Sequence, residues 1–218
     1  MRMKLHNYFR SSASFRVRIA LALKGLPYDY VAVNLVQGEH KSDAFRAKAP
    51  EVLVPLLEVG EHRLSQSMAI IEYLDEIHPE PPLLPADALG RAKVRALAQS
   101  IACEIHPLNN LRVLKYLVKE LQVSEDAKNT WYRHWVRLGL EAVERQLAAQ
   151  KADSVVGRYC YADTPTLADC LLVPQIFNAQ RFDVEFSDLP HVHAAFTHCM
   201  EHPAFIAAQP SQCPDAVA

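Results

Sequence analysis

The sequence predicts an α/β domain followed by an all-helical domain, and three observations lead to this prediction. Residues 1–80 alternate short apolar segments with helical ones, prolines at positions 79, 81, 82 and 85 then interrupt the pattern, and apolar residues beyond them recur at steps of three and four. A chain of 218 residues that is 50% hydrophobic can form two such cores. We place the α/β domain at residues 1–80 and the helical domain at residues 88–218, joined by a stiff proline-rich linker.

The first domain is predicted to contain a strand, a helix, a strand, a helix, a hairpin and a helix, in that order. The Gly25-Leu26-Pro27 break separates the first helix from the second strand, and Gly60 turns the hairpin. The predicted strands are 4–8, 28–34, 54–59 and 61–64, and the predicted helices are 14–24, 40–48 and 67–77.

The second domain is predicted from apolar positions at helical spacing. These begin with Val94, Leu97, Ile101, Ile105, Leu108 and Leu111. Pro107 lacks a backbone N–H and is expected to kink this helix. A long helix over residues 124–149 and helices starting near 166 and 189 should follow. Thr166 and Asp169 have the spacing of a capping box, which is a structural role.

Composition and charge exclude several kinds of partner. A formal charge of −2 gives no reason to expect nucleic acid or an anionic membrane as a partner. No apolar run approaches the roughly 18 residues of a membrane span, so a cytoplasmic location is expected. The five cysteines are irregularly spaced without a C-x-x-C pair, which predicts reduced thiols. His198 and His202 are one helical turn apart, but no carboxylate pattern accompanies them, so no metal is predicted.

The stretch RSSASFRVRIAL, residues 10–21, carries the first candidate site. A turn of small hydroxyl residues joins the first strand to the first helix. Backbone N–H groups at a helix start are unpaired and carry partial positive charge, so this turn can hold a small anion or a thiolate. Arg16 and Arg18 lie on the body of the helix and are expected to be surface or salt-bridged arginines.

Two further motifs in the first domain allow two interpretations each. Val54-Pro55 precedes a strand, where either a cis bond that turns a backbone edge toward a cleft or an ordinary trans proline fits the sequence. Gln66-Ser67 precedes an apolar helix and can either clasp a carboxylate or act as a plain helix cap.

Together with HPLNNLR at residues 106–112 and DTPTLAD at residues 163–169, these motifs resemble the cytosolic glutathione transferases. The resemblance is closest to the zeta class, which contains maleylacetoacetate isomerase and maleylpyruvate isomerase. It implies a thioredoxin-like first domain that binds glutathione, an all-α second domain that shapes the substrate pocket, and a homodimer.

The resemblance also implies roles for individual residues. Ser11, with Ser12 beside it, is the implied catalytic hydroxyl that hydrogen-bonds the glutathione sulfur. The implied cofactor contacts are His40 at the glycine carboxylate, the backbone of Val54, and Gln66 and Ser67 at the γ-glutamyl end, with His106 and Asn110 as further pocket members. The cations predicted for the carboxylates of a substrate are Arg10, Arg112 and Arg181, because a guanidinium offers a fixed fork to a carboxylate and stays charged.

Two positions depart from the family pattern. Ala13 stands where the family often has cysteine, so the protein supplies no thiol of its own at that turn and the reactive sulfur must come from glutathione. Glu51 stands where an uncharged residue is more usual. Its carboxylate either weakens the binding of an anionic tripeptide or faces solvent.

The expected function is glutathione-dependent cis–trans isomerisation of a maleyl diacid, either maleylacetoacetate or maleylpyruvate, in the catabolism of aromatic compounds. A thiolate adds to the cis double bond, the resulting single bond rotates, and elimination releases the trans isomer. One alternative is a transferase that conjugates or dehalogenates small electrophiles. The other is a non-catalytic binding module with the same fold, because fold alone does not fix function.

Overall fold

The computed structural model describes residues 2–152 and 157–216, which form two compact units. One unit comprises Met1–Leu83 and Met200–Ala218, and the other comprises Leu84–Cys199. The strands are β1 (Met3–Asn7), β2 (Asp29–Ala32), β3 (Leu56–Val59) and β4 (His62–Ser65). The helices are α1 (Ser12–Leu23), α2 (Asp43–Arg46), α3 (Ser67–Ile77), α4 (Ala88–Gln99), α5 (Leu111–Lys119), α6 (Glu125–Ala152), α7 (Leu167–Arg181), α8 (Pro190–Glu201) and α9 (Pro203–Ala207).

The first unit is built on a four-stranded sheet with the order β2-β1-β3-β4. β1 is parallel to β2 and antiparallel to β3, and β3 pairs with β4 in the predicted hairpin that turns at Gly60, where φ is 62°. Leu5, Leu57, Ile70 and Leu74 are fully buried in the sheet and in α3. The α/β arrangement predicted for this part of the chain is confirmed.

This topology places three strand ends together. β4 runs in the same direction as β1 because both are antiparallel to β3. β1, β2 and β4 therefore finish at one edge of the sheet, which we call the carboxyl edge. Helices α1 and α3 follow β1 and β4 directly, so both helices begin at the carboxyl edge, and β3 starts there as well.

The C-terminal segment Met200–Ala218 packs with the first unit. Helix α9 contacts α1, with Phe205 fully buried, and the Arg18 Nε–H donates to the Ala208 carbonyl at 3.1 Å. The sequence-based limits of 88–218 assign this segment to the helical domain. The spacing of apolar residues shows that a terminal helix has a buried face, but it does not show which surface covers that face.

The second unit is helical, as predicted, but its first helix is interrupted instead of kinked. α4 ends at Gln99, a π-helical turn spans Ser100–Ile105, and a 3₁₀ turn over Pro107–Asn109 precedes α5. Helix α6 passes close to the π-helical turn at Gly139, where an added Cβ would come within 2.2 Å of the Ile105 side chain. Neither the wide turn nor this close approach has a signature in the spacing of apolar residues.

The capping box predicted at the start of α7 is present. The buried Asp169 carboxylate accepts hydrogen bonds from the Thr166 N–H at 2.8 Å and from the Thr166 hydroxyl at 2.9 Å. It also accepts the Cys160 N–H at 2.8 Å. The motif therefore fixes the preceding loop as well as the helix start.

Glu144 on α6 accepts hydrogen bonds from the first N–H groups of α8. Its carboxylate accepts the N–H groups of His191 and Val192 at 3.0 and 2.9 Å and contacts the His191 ring. Burial raises the pKa of Glu144, but the hydrogen bonds from Val192 and His191 outweigh it and hold the pKa below its ordinary value of 4.5. The charged carboxylate is therefore the form that stabilises the fold.

We expect Glu144→Gln to lower the free energy of unfolding at neutral pH by about 1–2 kcal/mol, since hydrogen bonds to a charged acceptor are lost. A carboxyl with a lowered folded pKa supplies stability that is complete above its unfolded pKa and is lost as pH falls through the folded pKa. The difference between the variant and the parent should therefore shrink below about pH 4.5. Urea unfolding at pH 7 and pH 4 measures it, and an equal difference at both values would contradict this role.

The remaining sequence expectations concern cysteines, metals and membranes. The described cysteines are all free; Cys103 is exposed, and the other four are buried. Over residues 2–152 and 157–216, no cluster of three or more histidine, cysteine or acidic side chains has a metal-binding arrangement. His202 instead caps α9, accepting the Ala204 N–H at 3.2 Å. Within the same residues, no helix combines the length and apolar character needed to span a bilayer.

Candidate functional site

Residues 8–11 form a tight turn between β1 and α1, which we call the Ser11 turn. The Ser11 N–H donates to the Tyr8 carbonyl at 2.9 Å, and Ser11 is the N-cap of α1. Its Oγ accepts the Ser14 N–H at 3.2 Å. Because this bond uses only a lone pair, the hydroxyl proton remains available to donate to an anion. Ser11 is half-buried, and Ser12, the first residue of the helix, is buried.

The start of α1 is an electropositive position. No acidic residue occupies the first turn of the helix. N–H groups at a helix start have no intrahelical partner, and the helix dipole adds partial positive charge there. Such a position stabilises a thiolate and lowers the pKa of a thiol bound beside it.

Gln66 and Ser67 begin α3 at the same edge of the sheet. Gln66 is exposed, with φ 68° and ψ 114°, a conformation that costs a side-chain-bearing residue about 1–3 kcal/mol. Ser67 is buried, and its Oγ accepts a hydrogen bond from the Arg16 Nη1 at 3.2 Å. The chain thus enters α3 through the strained backbone of Gln66. The hydrogen bond from Arg16 holds the neighbouring Ser67 side chain in position.

Arg16 and Arg18 were expected to be surface or salt-bridged arginines, and the surface alternative is wrong for both. Their exposed fractions are 3% and 2%. Helix α1 lies between α3 and α9, so its faces are covered and both arginines are enclosed. Arg16 supports Ser67, and Arg18 donates to three backbone or side-chain oxygens, as described below. A sequence offers little warning of this, because buried arginines are rare unless paired.

Val54 reaches the carboxyl edge through the sheet. The Val54-Pro55 peptide bond is cis and lies directly before β3. The pairing of β1 with β3 ends at His6 and Leu56, so Val54, two residues before Leu56, lies at the carboxyl edge. Val54 and Tyr8 belong to one apolar cluster. The backbone of Val54 therefore lies beside the Ser11 turn.

His40 and Glu51 lie on loops of the same unit. His40 is half-buried in a 3₁₀ turn over Glu39–Lys41, which follows β2. Glu51 is exposed, and its carboxylate accepts the Ser65 hydroxyl at 3.0 Å. The carboxylate of Glu51 is thus in solvent, yet it is tied to the residue that precedes Gln66.

The first unit therefore places five of the predicted residues at the carboxyl edge of its sheet: Ser11, Ser12, Val54, Gln66 and Ser67. His40 lies in the same unit, on the 3₁₀ turn that follows β2. Two helix starts and the buried guanidinium of Arg16 give this edge a positive character. Glutathione is a tripeptide with two carboxylates and a thiol, so these hydrogen-bond donors fit its chemistry. Arg10, on the Ser11 turn, is exposed, with its guanidinium carbon 5.1 Å from the centre of the Phe9 ring.

In the second unit, His106 and Asn110 flank the 3₁₀ turn that follows the π-helical turn. His106 is half-buried and ends the π-helical turn, its N–H donating to the Ile101 carbonyl at 2.9 Å. Asn110 is the N-cap of α5, and its Oδ1 accepts the Arg112 N–H at 3.0 Å. The side-chain oxygen of Asn110 thus caps α5. The Arg112 side chain is exposed.

Arg181 ends α7 and lies against two aromatic rings. Its guanidinium carbon is 5.0 Å from the centre of the Phe182 ring, and that ring stacks on Tyr132 with centroids 3.6 Å apart. Burial raises the pKa of Tyr132, and the neighbouring Arg181 opposes the rise. The arginine is exposed but held in position from one side.

Tyr132 is a residue that the sequence analysis missed. It is buried on α6, and its carbonyl accepts the Asn109 side-chain N–H at 3.4 Å. The same residue therefore touches the turn between His106 and Asn110 and the Arg181–Phe182 pair. Its only sequence signal is an apolar position in a long helix, which is also the signal of a plain core residue.

Comparisons with known proteins show the family to which the chain belongs. A family model described as glutathione S-transferase, N-terminal domain, matches residues 1–76, and one described as glutathione S-transferase, C-terminal domain, matches residues 137–203. The maleylpyruvate isomerase of a Ralstonia species is 50% identical over 214 residues, which span 98% of this chain and 100% of that protein.

Two solved structures extend the comparison. A holo structure of maleylpyruvate isomerase, described as a bacterial zeta-class glutathione S-transferase, matches with a TM-score of 0.95 at 50% identity, over 98% of this chain and 100% of that one. Maleylacetoacetate isomerase from Anaeromyxobacter dehalogenans, with glutathione bound in its active site, matches with a TM-score of 0.87 at 41% identity, over 99% and 98%. The predicted fold class is confirmed. The chain belongs to the zeta class of the glutathione S-transferase family.

Proposed function

We propose that this protein is a glutathione-dependent cis–trans isomerase of a maleyl diacid, maleylpyruvate or maleylacetoacetate, acting in the catabolism of aromatic compounds. The observation that carries the proposal is Ser11 at the N-cap of α1, with its hydroxyl proton free of the capping bond. The similarity to maleylpyruvate and maleylacetoacetate isomerases supports the reaction and the substrate class.

Bound glutathione supplies a thiolate that adds reversibly to the double bond of the substrate and so permits rotation about it. Ser11 donates a hydrogen bond to the sulfur and, with the start of α1, keeps it ionised at neutral pH, while Ser12 completes the turn. Val54 pairs with the tripeptide backbone, Gln66 and Ser67 hold its γ-glutamyl end, and His40 holds its glycine carboxylate. Ala13 supplies no thiol at this turn, so the sulfur that adds to the substrate is that of bound glutathione.

The helical unit, Leu84–Cys199, is proposed to provide the substrate pocket. His106 and Asn110 line it, and Arg112 and Arg181 bind carboxylates of the diacid. Arg10, on the Ser11 turn, is proposed as a further ligand of a substrate carboxylate. The protein is further proposed to work in the cytoplasm as a homodimer, without nucleic-acid or membrane partners.

An isomerase assay tests the proposal directly. The purified protein is given maleylpyruvate and maleylacetoacetate in turn, with and without glutathione, and the fumaryl products are followed. Turnover of at least one substrate that requires glutathione, with no net consumption of glutathione, is the expected result. Consumption of glutathione by haloacids or chloroaromatics, without isomerisation, would instead identify a conjugating or dehalogenating transferase. Failure to bind glutathione at all would leave only a non-catalytic module.

We expect Arg181→Ala to raise the KM for the diacid about tenfold or more, since a charge-assisted contact to a carboxylate contributes about 1.5–3 kcal/mol. The KM for glutathione should change less than about twofold, because Arg181 serves the substrate and not the cofactor. Steady-state kinetics with each substrate varied in turn separates the two effects. Arg145→Ala, at an exposed position on α6, is the matched control. A larger effect on glutathione than on the diacid would assign Arg181 to the cofactor.

A further inference from the structure

The C-terminal segment reaches the Ser11 turn through a single side chain. Asp215 accepts the Phe9 N–H on one carboxylate oxygen at 3.2 Å and the Tyr30 hydroxyl on the other. Phe9 lies inside the Ser11 turn, two residues before Ser11. The segment that carries Asp215 is separated from the rest of its unit by the whole of Leu84–Cys199 along the chain.

The Phe9 peptide is held from both ends. Asp215 takes its N–H, and the Arg18 Nη2 donates to its carbonyl at 3.1 Å. Arg18 also donates to Asn7 Oδ1 at 3.0 Å and to the Ala208 carbonyl at 3.1 Å. One buried guanidinium therefore ties the end of β1, the Ser11 turn and the C-terminal segment together.

The surroundings of Asp215 make this contact specific. Phe9 and Cys213 belong to the same apolar cluster, with Tyr30 packed against it. Burial raises the pKa of Tyr30, and its hydrogen bond to Asp215 raises it further, so Tyr30 stays a neutral donor. The carboxylate thus has two dedicated donors, and Arg18 is its nearby positive charge. An asparagine at this position would replace one of the two acceptor oxygens with an NH2 donor, so one of the two donors would lose its acceptor.

We propose that Asp215 is a positioning residue for catalysis: it fixes the Phe9 amide and thereby sets the place from which the Ser11 hydroxyl meets the sulfur of bound glutathione. This inference rests on the function proposed above. It adds that the position of the Ser11 hydroxyl, at the start of the first helix, depends on a residue near the other end of the sequence. Displacing a reacting group by about 1 Å can cost about a hundredfold in rate, so a loosened turn has a measurable effect.

The test uses the full chain with Asp215→Ala, Asp215→Asn and Tyr30→Phe. The pKa of the bound glutathione thiol is measured from the ultraviolet absorbance of the thiolate against pH, together with kcat and the affinity for S-methylglutathione, which has no ionisable thiol. Asp29→Ala is the matched control, since Asp29 precedes Tyr30 and pairs only with Arg2 among the described contacts of its side chain. Thermal unfolding of each variant shows whether it is folded.

We expect Asp215→Ala to raise the pKa of the bound thiol by about half a unit to one unit and to lower kcat about tenfold. Asp215→Asn and Tyr30→Phe should show smaller shifts in the same direction, and Asp29→Ala none. S-methylglutathione should bind within about twofold of the parent in every variant, because the hydrogen bonds described for the Asp215 carboxylate go to Phe9 and Tyr30 and not to the predicted cofactor contacts. Should Asp215→Ala not fold, Tyr30→Phe, which keeps the ring, gives the decisive measurement.

Two results would overturn the inference. One is a parent-like thiol pKa and kcat in the folded Asp215 and Tyr30 variants, and the other is a loss of S-methylglutathione affinity as large as the loss of kcat. The proposed function can fail separately. A parent protein that ionises bound glutathione but does not isomerise maleyl diacids would refute the proposed reaction. In that case a raised thiol pKa in Asp215→Ala would still support the positioning role. A parent protein that binds glutathione without lowering its thiol pKa would refute both.

Discussion

Replacing Ser11 with alanine is expected to lower kcat by about tenfold to a hundredfold, because a hydrogen bond to a charged sulfur contributes about 1.5–3 kcal/mol. The affinity for glutathione should change less than about twofold, since most of the tripeptide is held at Val54, Gln66 and Ser67. The loss reflects a smaller ionised fraction of the thiol. The pH profile of kcat should therefore move to higher pH by about one to two units, with partial recovery in alkali.

Two variants make this result specific. Ser124 precedes α6 and accepts the Ala127 N–H at 3.2 Å, the same geometry as Ser11 and Ser14, so Ser124→Ala controls for the loss of a helix cap. Ser67→Ala should show the opposite kinetic pattern, a raised KM for glutathione with kcat nearly unchanged at saturation. An unchanged pH profile in Ser11→Ala, or equal effects of Ser11→Ala and Ser124→Ala on kcat, would remove Ser11 from the mechanism.

Replacing Lys24 with methionine is expected to lower the free energy of unfolding by about 3–5 kcal/mol, because removing one partner of a buried ion pair leaves the other uncompensated. The Lys24 side chain is fully buried, and its Nζ donates to Asp75 Oδ1 at 2.7 Å and to the carbonyls of His78 and Pro81 at 2.7 and 2.9 Å. The Asp75 oxygen also accepts the Leu83 N–H at 2.8 Å. Lysine therefore joins the end of α3 to the proline-rich segment.

Urea unfolding followed by circular dichroism measures this effect. Arg2→Met is the control, since Arg2 is an exposed partner of Asp29 and such pairs contribute little. The double variant Lys24→Met/Asp75→Leu removes both charges of the pair, so no uncompensated charge is left. Its free energy of unfolding should therefore be higher than that of Lys24→Met. A Lys24→Met variant as stable as Arg2→Met would show that the backbone carbonyls and Asp75 find other partners.

Much of the candidate site could be predicted because it depends on local chemistry. Ser67–Ile77 is helical as predicted, and the hairpin turns at Gly60. The helix predicted from residue 14 begins at Ser12, two residues earlier, because Ser11 serves as its N-cap. Caps, turns and alternating apolar residues act over a few positions, so their signals are present in the sequence itself. The roles of the individual site residues stay predictions that the kinetic variants test.

Other features depend on which surfaces meet, and short-range patterns do not carry that information. The cis state of Val54-Pro55 was one of two possibilities that the sequence allowed. The burial of Arg16 and Arg18 follows from the packing of α1 between α3 and α9, and the contact between Asp215 and Phe9 joins residues 206 positions apart. The sequence alone determined the class of fold, the family resemblance and the helix start that presents Ser11. Only the tertiary structure decided what holds that helix start in place, because burial and long-range hydrogen bonds arise when distant segments pack together.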